Sequence, residues 1–480
     1  MPKVSSSQVS RNLFKLVGDS DTLLILSPKY ANEIRNHPFL SFTKALITET
    51  HPYIKGFEPM LQITLPSEIF QVATRTKMTR ALGSLTKPLS SETTAALQDI
   101  WTEGTGIKHT LPPPIKYIKP NPKKDWHTTT LTPDIRKIIS QIASKIFLGN
   151  ELSRNKLWLQ VTADYTANLM KATEALRRWP QTLRPLISLF LPITRQLRNN
   201  LTQARKLVIP VLEERRRSQD AAVREGRVPD RHDDAMQWIE ECANGRLYDP
   251  AGMQLALIIV AIVGATDLMT QVVFNLCEMG DVVRALREEI VSVFRVEGMT
   301  RASLYKLQLM DSFLKESQRM KPLELDDLDG LTAISVSMRR VASDDVYLKD
   351  GHKIDRGTRL AVSNCWMWDP KFYEDPETFD AYRFVKLRQV SGREASANLA
   401  SVSPEHMAFG LGSHACTGRF FAVNQMKIVL CHILLKYEFK LADGSVPRPR
   451  RYGVRAQADP AAKISLRRRR EEIFLGDLAD

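Results

Sequence analysis

The chain has 480 residues, 43% of them hydrophobic, enough for one very large core or two ordinary ones, and long apolar runs with only short strand-like pieces point to a mainly helical fold. Its 68 Lys and Arg against 54 Asp and Glu leave a net charge of +14, but the basic runs at 215–217 and 467–470 are interleaved with Glu213, Glu214, Asp220, Glu471 and Glu472, the pattern of a solvated face rather than a nucleic-acid site. Five widely spaced cysteines with no CxxC pair exclude a disulfide framework and a thiolate zinc site, and suit a reducing compartment.

The opening MPKVSSSQVSRNLF lacks the apolar core of a signal peptide; residues 1–20 read as flexible, with no N-terminal membrane anchor. DTLLILSPKYANEIR reads as a strand, a turn at Ser27 and Pro28, and a short helix, and EPMLQITLP as a strand or a connection. Helical texture begins at Met78 and continues through TTAALQDIWTEG until the proline-rich LPPPIKYIKPNPKKDW interrupts it. Amphipathic helices are predicted over about 131–148, 152–170 and 195–224, with a loop-prone piece holding Pro180, Pro185 and Pro192 between the last two. Asp233 and Asp234 suit a helix start before AMQWIEECANG.

From about 250 to 281 apolar residues fall on nearly every side, as in a helix packed all round. Its greasiest part, residues 255–265, is about eleven residues long where a membrane span needs roughly twenty. A helix of about thirty residues crosses roughly 45 Å, the width of a domain, so a single domain over 1–480 is expected around it. Beyond the helix in LYKLQLMDSFLKESQRMKP, the stretch SVSMRRVASDDVYLKDGHKIDRGTRLAVS reads as a small antiparallel sheet. A long coil, a helix over 417–436 and terminal strands in YEFKLADG and AAKISLRRR complete the chain.

The chemistry concentrates in MAFGLGSHACTGRFFAVNQ, residues 407–425, where a glycine-interrupted loop delivers Cys416 to the start of a helix. Unpaired N–H groups and the helix dipole there favour thiolate over thiol. Phe409, Gly410, Gly412, His414, Cys416, Gly418, Arg419 and Ala422 resemble the cysteine-ligand loop FxxGxxxCxG of cytochromes P450, and the run GRFFA resembles their fungal members. The resemblance implies a mainly α fold with small β sheets, built as one large domain around a long central helix. It implies haem b (iron protoporphyrin IX) with Cys416 as the proximal, metal-binding ligand. Gly410 and Gly412 would then let the loop approach the porphyrin, Phe409 pack beside the sulfur, Gly418 let the next helix lie close beneath the ring, and His414 pair with a propionate.

Glu316 and Arg319 in KESQR share a helical face, an arrangement worth only a few tenths of a kcal/mol if exposed. They resemble the family's ExxR, and Arg383 in PETFDAYRF resembles the third member of its buried ion cluster. On the central helix, AIVGATDLMTQ is the candidate for the distal (A/G)Gx(D/E)T signature. The best match puts Ala261 at the small position, Val263 at the acid and Gly264 at the threonine, so the acid-alcohol pair is missing. Thr266 substitutes only through a local bulge, since two residues rotate it by about 200 degrees. The favoured explanation is that substrate or ordered water carries the proton, and the third is chemistry that tolerates weak proton delivery.

Lys77 and Arg80 are propionate candidates in a stretch that lacks the family's WxxxR tryptophan. Arg339 stands where the family often places another such base, with Arg340 beside it, and one of the two points away. Substrate contacts are expected from Ile262, Val263, Leu331, Thr332, Ala333 and Ile334, whose apolar character suits a bulky, weakly charged molecule. The resemblance, strongest over 311–436, implies a monooxygenase using O2 and electrons from NADPH through NADPH-cytochrome P450 reductase. Its implied substrate is a fungal secondary metabolite, terpenoid or indole-derived, changed by hydroxylation, ring formation, desaturation or coupling. The rival is a P450-like haem protein that binds or isomerises. A monomer is expected, at the cytoplasmic face of the endoplasmic reticulum if an anchor belongs to the natural protein and otherwise cytoplasmic, with no nucleic-acid partner.

Overall fold

The computed structural model describes residues 13–17, 22–101, 126–321, 325–328, 331–448, 450–452 and 455–476. Pro250–Cys277 forms one unbroken helix through its middle. Asp249 caps the start by accepting from the Gly252 N–H at 3.1 Å, and Pro250 fits the first turn, where a missing N–H costs nothing. Its 28 residues span roughly 42 Å. By length and apolarity it is the one helix among the described residues that could cross a membrane, yet most of its apolar window is buried inside the protein. The helices Leu131–Leu152, Pro192–Arg224, Gln308–Met320 and Arg419–Lys436 pack against it and share its core.

Two sheets flank the helices. In the larger, Thr22–Leu26 pairs antiparallel with Leu13–Val17 and parallel with Arg359–Ser363, and Arg359–Ser363 pairs antiparallel with the long strand Leu331–Ala342. The register of that last pair slips between Ser337 and Arg340, where Met338 takes a left-handed φ of 54°. In the smaller, Lys463–Arg468 lies between Tyr437–Leu441 and His127–Thr130. The mainly helical architecture with small sheets is the one expected from the sequence.

Several elements differ from expectation. EPMLQITLP holds a helix, Glu58–Thr64, because Pro59 in the first turn gives up an N–H that would have no partner there. The loop-prone stretch contains the helix Arg184–Phe190, again with a proline in its first turn. Asp234, rather than Asp233, caps Ala235–Ala243. All but the last residue of the proline-rich stretch lies outside the described residues.

Candidate active site

Met407–Gly418 is coil with a brief turn at Gly412–His414, and the last helix begins at Arg419. The loop closes on itself where the Cys416 N–H donates to the Phe409 carbonyl at 2.8 Å. Thr417 is tied to Thr74 by a hydroxyl pair at 2.7 Å. Burial pushes the Cys416 thiol up, against the Gly418 and Arg419 backbone amides and the Arg419 guanidinium, which pull it down. The helix start thus favours the thiolate as expected, while desolvation of the buried sulfur works against it and sets the net direction upward.

Gly410 and Gly412 both have positive φ, 73° and 76°, but their surroundings differ. A Cβ at Gly412 would stand 2.8 Å from the Arg35 carbonyl and 2.6 Å from Asn36 Oδ1, so this glycine is needed for approach to the 35–36 segment. At Gly410 the nearest atoms would be 3.6 Å away. Gly410→Ala is therefore expected to cost the left-handed penalty alone, about 1–2 kcal/mol, and Gly412→Ala clearly more. Denaturant unfolding of the two variants checks the order; equal losses would contradict it. Gly418 has only Met78 Cε near its Cβ position, at 3.6 Å.

A group of positive charge surrounds the front of this loop. Arg340 is buried, stacks its guanidinium 5.8 Å from the Phe42 ring, and donates through Nη1 to the Arg339 carbonyl at 2.8 Å. Its Nε has no acceptor and no carboxylate faces it among the described residues; burial pulls its pKa down to about 10. His414 also packs against Phe42, 5.6 Å between ring centroids. Desolvation, then Arg340 and Arg75, lower the pKa of His414, which stays neutral at pH 7. Arg75 reaches the Ser413 carbonyl from the π-helical segment Ala73–Met78.

The positive group differs from the sequence expectation at three residues. Arg339 pairs with Glu49 at 3.1 Å; the slip at Met338 sets the phase of the strand, and adjacent residues face opposite sides. Lys77 pairs with Glu241 at 2.6 Å, since two residues along the helix turn it away from Arg75. Arg80 is solvent-exposed.

Behind the loop, Glu316 accepts from Arg319 through both oxygens at 2.8 Å and from Arg383 Nε at 3.0 Å. Glu316 and Arg319 are fully buried. Arg319 Nη1 spends its remaining protons on the carbonyls of Met367 and Pro376 at 2.6 and 2.7 Å, and the Asp380 N–H donates to Glu316 at 3.1 Å. The cluster thus joins the Gln308–Met320 helix to the coil that follows the sheet. Lys315, also buried, donates to the carbonyls of Ser396 and Asn398 at 2.8 and 2.7 Å, and burial brings its pKa down to about 7.

On the central helix, Val260 is 49% exposed, and Ala261, Val263 and Gly264 are partly open, in a helix otherwise closed around them. A Cβ at Gly264 would meet nothing within 4 Å. These partly open positions share one face of the helix. Ile262 is buried in the core, because two residues from either Val260 or Gly264 place it on the far side. Thr266 is 4% exposed on that far side, and its hydroxyl finds no partner among the described residues. The helix is unbroken here, so no bulge brings Thr266 round to the open face. Leu331, Thr332, Ala333 and Ile334 begin the strand Leu331–Ala342, and their side chains lie outside the described residues.

Asp267 escaped the sequence reading. It stands one turn beyond Gly264 on the same stripe, a spacing of three that a helical projection of AIVGATDLMTQ would have exposed. Arg75 escaped, and the choice between Arg339 and Arg340 stayed open, for another reason: a π-helical segment and a strand slip decide which basic neighbour faces the loop, and neither leaves a sequence signal.

The family model described as Cytochrome P450 matches residues 115–462. The chain is 43% identical to the cytochrome P450 monooxygenase adrA of Penicillium rubens, over 97% of this chain and 85% of that protein. It is 40% identical to cytochrome P450 monooxygenase 1 of Gibberella fujikuroi, over 96% and 99% of the two chains. Among solved structures, the haem domain of cytochrome P450DA superposes with a TM-score of 0.68 at 15% identity, covering 96% of this chain and 90% of that one.

Proposed function

The chain belongs to the cytochrome P450 family and is a haem-thiolate monooxygenase, and from that premise we propose that it oxidises a bulky, largely apolar fungal secondary metabolite of terpenoid or indole-derived type. The observation that carries the reading is the open stripe of Val260, Ala261, Val263 and Gly264, an apolar face with no charge of its own on a helix that packs against the helix following Cys416.

The residues present fit a haem. Arg340 is a buried guanidinium with an unused donor and no carboxylate against it, the environment expected of a group awaiting an anion. Arg340, Arg75 and His414 would hold the propionates, and Cys416 would supply the sulfur ligand. Haem bound this way supplies activation of O2 and transfer of one oxygen atom to the substrate. The chain's own part is to present the sulfur from a closed loop, neutralise the propionates, and orient the substrate against the apolar stripe. Gly264 offers neither acid nor hydroxyl, so protons reach the site through water or substrate. Electrons come from a reductase, for which we infer NADPH-cytochrome P450 reductase bound on the face nearest Cys416, with the enzyme at the endoplasmic reticulum membrane.

The test is incubation of the protein with reductase, NADPH and isotopically labelled O2 over a panel of terpenoids and indole-derived compounds. NADPH-dependent oxidation within these classes supports the proposal, and oxidation confined to fatty acids or small aromatics overturns it. The featureless Gly264 also favours a second reading, a P450-like isomerase, which would convert substrate without NADPH. Gly264→Ala, which fills open space in a helix, is expected to raise stability by about 1 kcal/mol in a melting experiment. Gly264→Thr, which restores a hydroxyl there, is expected to change the ratio of product formed to NADPH consumed; an unchanged ratio would remove this position from proton delivery.

A further inference from the structure

We propose that Asp267 is a positioning residue that fixes the far wall of the substrate cavity by clasping two strand pairs onto the central helix, an inference that rests on the haem-enzyme reading above. Asp267 lies one turn beyond Gly264 on the open stripe, yet it is itself buried. Two partners from distant parts of the chain cover it. Lys321 donates to Oδ2 at 2.6 Å, and the Ala458 N–H donates to Oδ1 at 2.6 Å.

Lys321 directly follows the Gln308–Met320 helix and leads into the paired strands Leu325–Leu328 and Leu331–Ala342. Ala458 directly follows the hairpin made by Arg450–Tyr452 and Arg455–Gln457, and the second strand of that hairpin lies against Leu325–Leu328. One carboxylate therefore ties the beginning of one strand pair and the end of the other to a helix whose neighbouring turn is open. Lys321 and Asp267 are each 9% exposed in their side chains, so the pair is largely dehydrated and intolerant of losing one member. Both carboxylate oxygens are engaged, so Asp267 acts through the two segments it holds and leaves contact with substrate to them. Nothing in the sequence pattern of the distal signature requires an acid at this place.

The test uses haem-loaded Asp267→Asn, Lys321→Met and the double variant, with two probes whose binding is read from the Soret band. Imidazole reports the iron site alone, and clotrimazole fills the cavity as well. Amide exchange of segments 325–342 and 455–468 gives a readout independent of haem chemistry. Expected results are an unchanged imidazole affinity, clotrimazole binding weaker by about tenfold, faster exchange in both segments, and a double variant no worse than either single one. The double variant buries no unpaired charge and keeps an acceptor for Ala458, so it serves if a single variant does not fold. Clotrimazole affinity and exchange left as in the parent protein would overturn the proposal, as would equal weakening of both probes. Failure of the parent protein to shift its Soret band with either azole would instead sink the haem reading beneath it.

Discussion

Glu316→Ala is expected to leave no haem-loaded protein to purify. The substitution strips Arg319, fully buried, of both hydrogen bonds to a carboxylate and leaves Arg383 short of its partner as well. An unpaired charge at that depth costs about 3–5 kcal/mol, a large part of the 5–15 kcal/mol that holds an ordinary domain together. The loss falls where the Gln308–Met320 helix meets the coil leading to Cys416, so that coil and its cysteine would lose their fixed place. Arg383→Ala should be milder, about 1–3 kcal/mol, because Glu316 keeps both bonds from Arg319. Absorbance of the purified proteins and their carbon monoxide difference spectra measure the outcome. A normal Soret band in Glu316→Ala would refute the assignment of this cluster as the structural keystone.

Arg340→Leu is expected to act with opposite signs on the apoprotein and the haem-loaded protein, and Arg339→Leu with the same sign on both. Arg340 carries a desolvated charge with an unused donor, so leucine there should stabilise the apoprotein. The same change removes a charged hydrogen bond worth about 1.5–3 kcal/mol to a propionate and should speed haem release roughly 10- to 100-fold. Arg339 instead serves Glu49. Burial pushes that carboxyl up, but Arg339 and Arg359 outweigh it and hold it below the usual carboxylate range. Arg339→Leu should therefore weaken apoprotein and holoprotein alike while leaving haem release unchanged. Transfer of haem to apomyoglobin and melting with and without haem separate the two; faster release in Arg339→Leu than in Arg340→Leu would reverse the assignment.

Legibility in the sequence followed how local each feature is. The cysteine loop, the Glu316 and Arg319 pair and the central helix are written in contiguous residues whose spacing and polarity survive without a fold. Arg383 could be found because a second short motif carried it. Choices between neighbouring residues were not legible where they depend on backbone irregularity: the slip at Met338 picks Arg340 over Arg339, and the π-helical segment picks Arg75 over Lys77. Ile262 went astray through phase, since an apolar residue beside an open stripe looks in sequence like a member of it. Asp267 is not legible because the distal signature has no acid at its place, and its partners Lys321 and Ala458 lie far away in the chain.

The way Lys315 engages its surroundings constrains how this part of the molecule can vary. Its ammonium reads peptide oxygens at positions 396 and 398, an atom that every amino acid supplies. Replacement of those residues by others therefore leaves the recognition intact, whereas removing a single peptide unit between 383 and 396 would put different oxygens before the lysine. For this irregular stretch, heredity must conserve a count of residues more strictly than their identities.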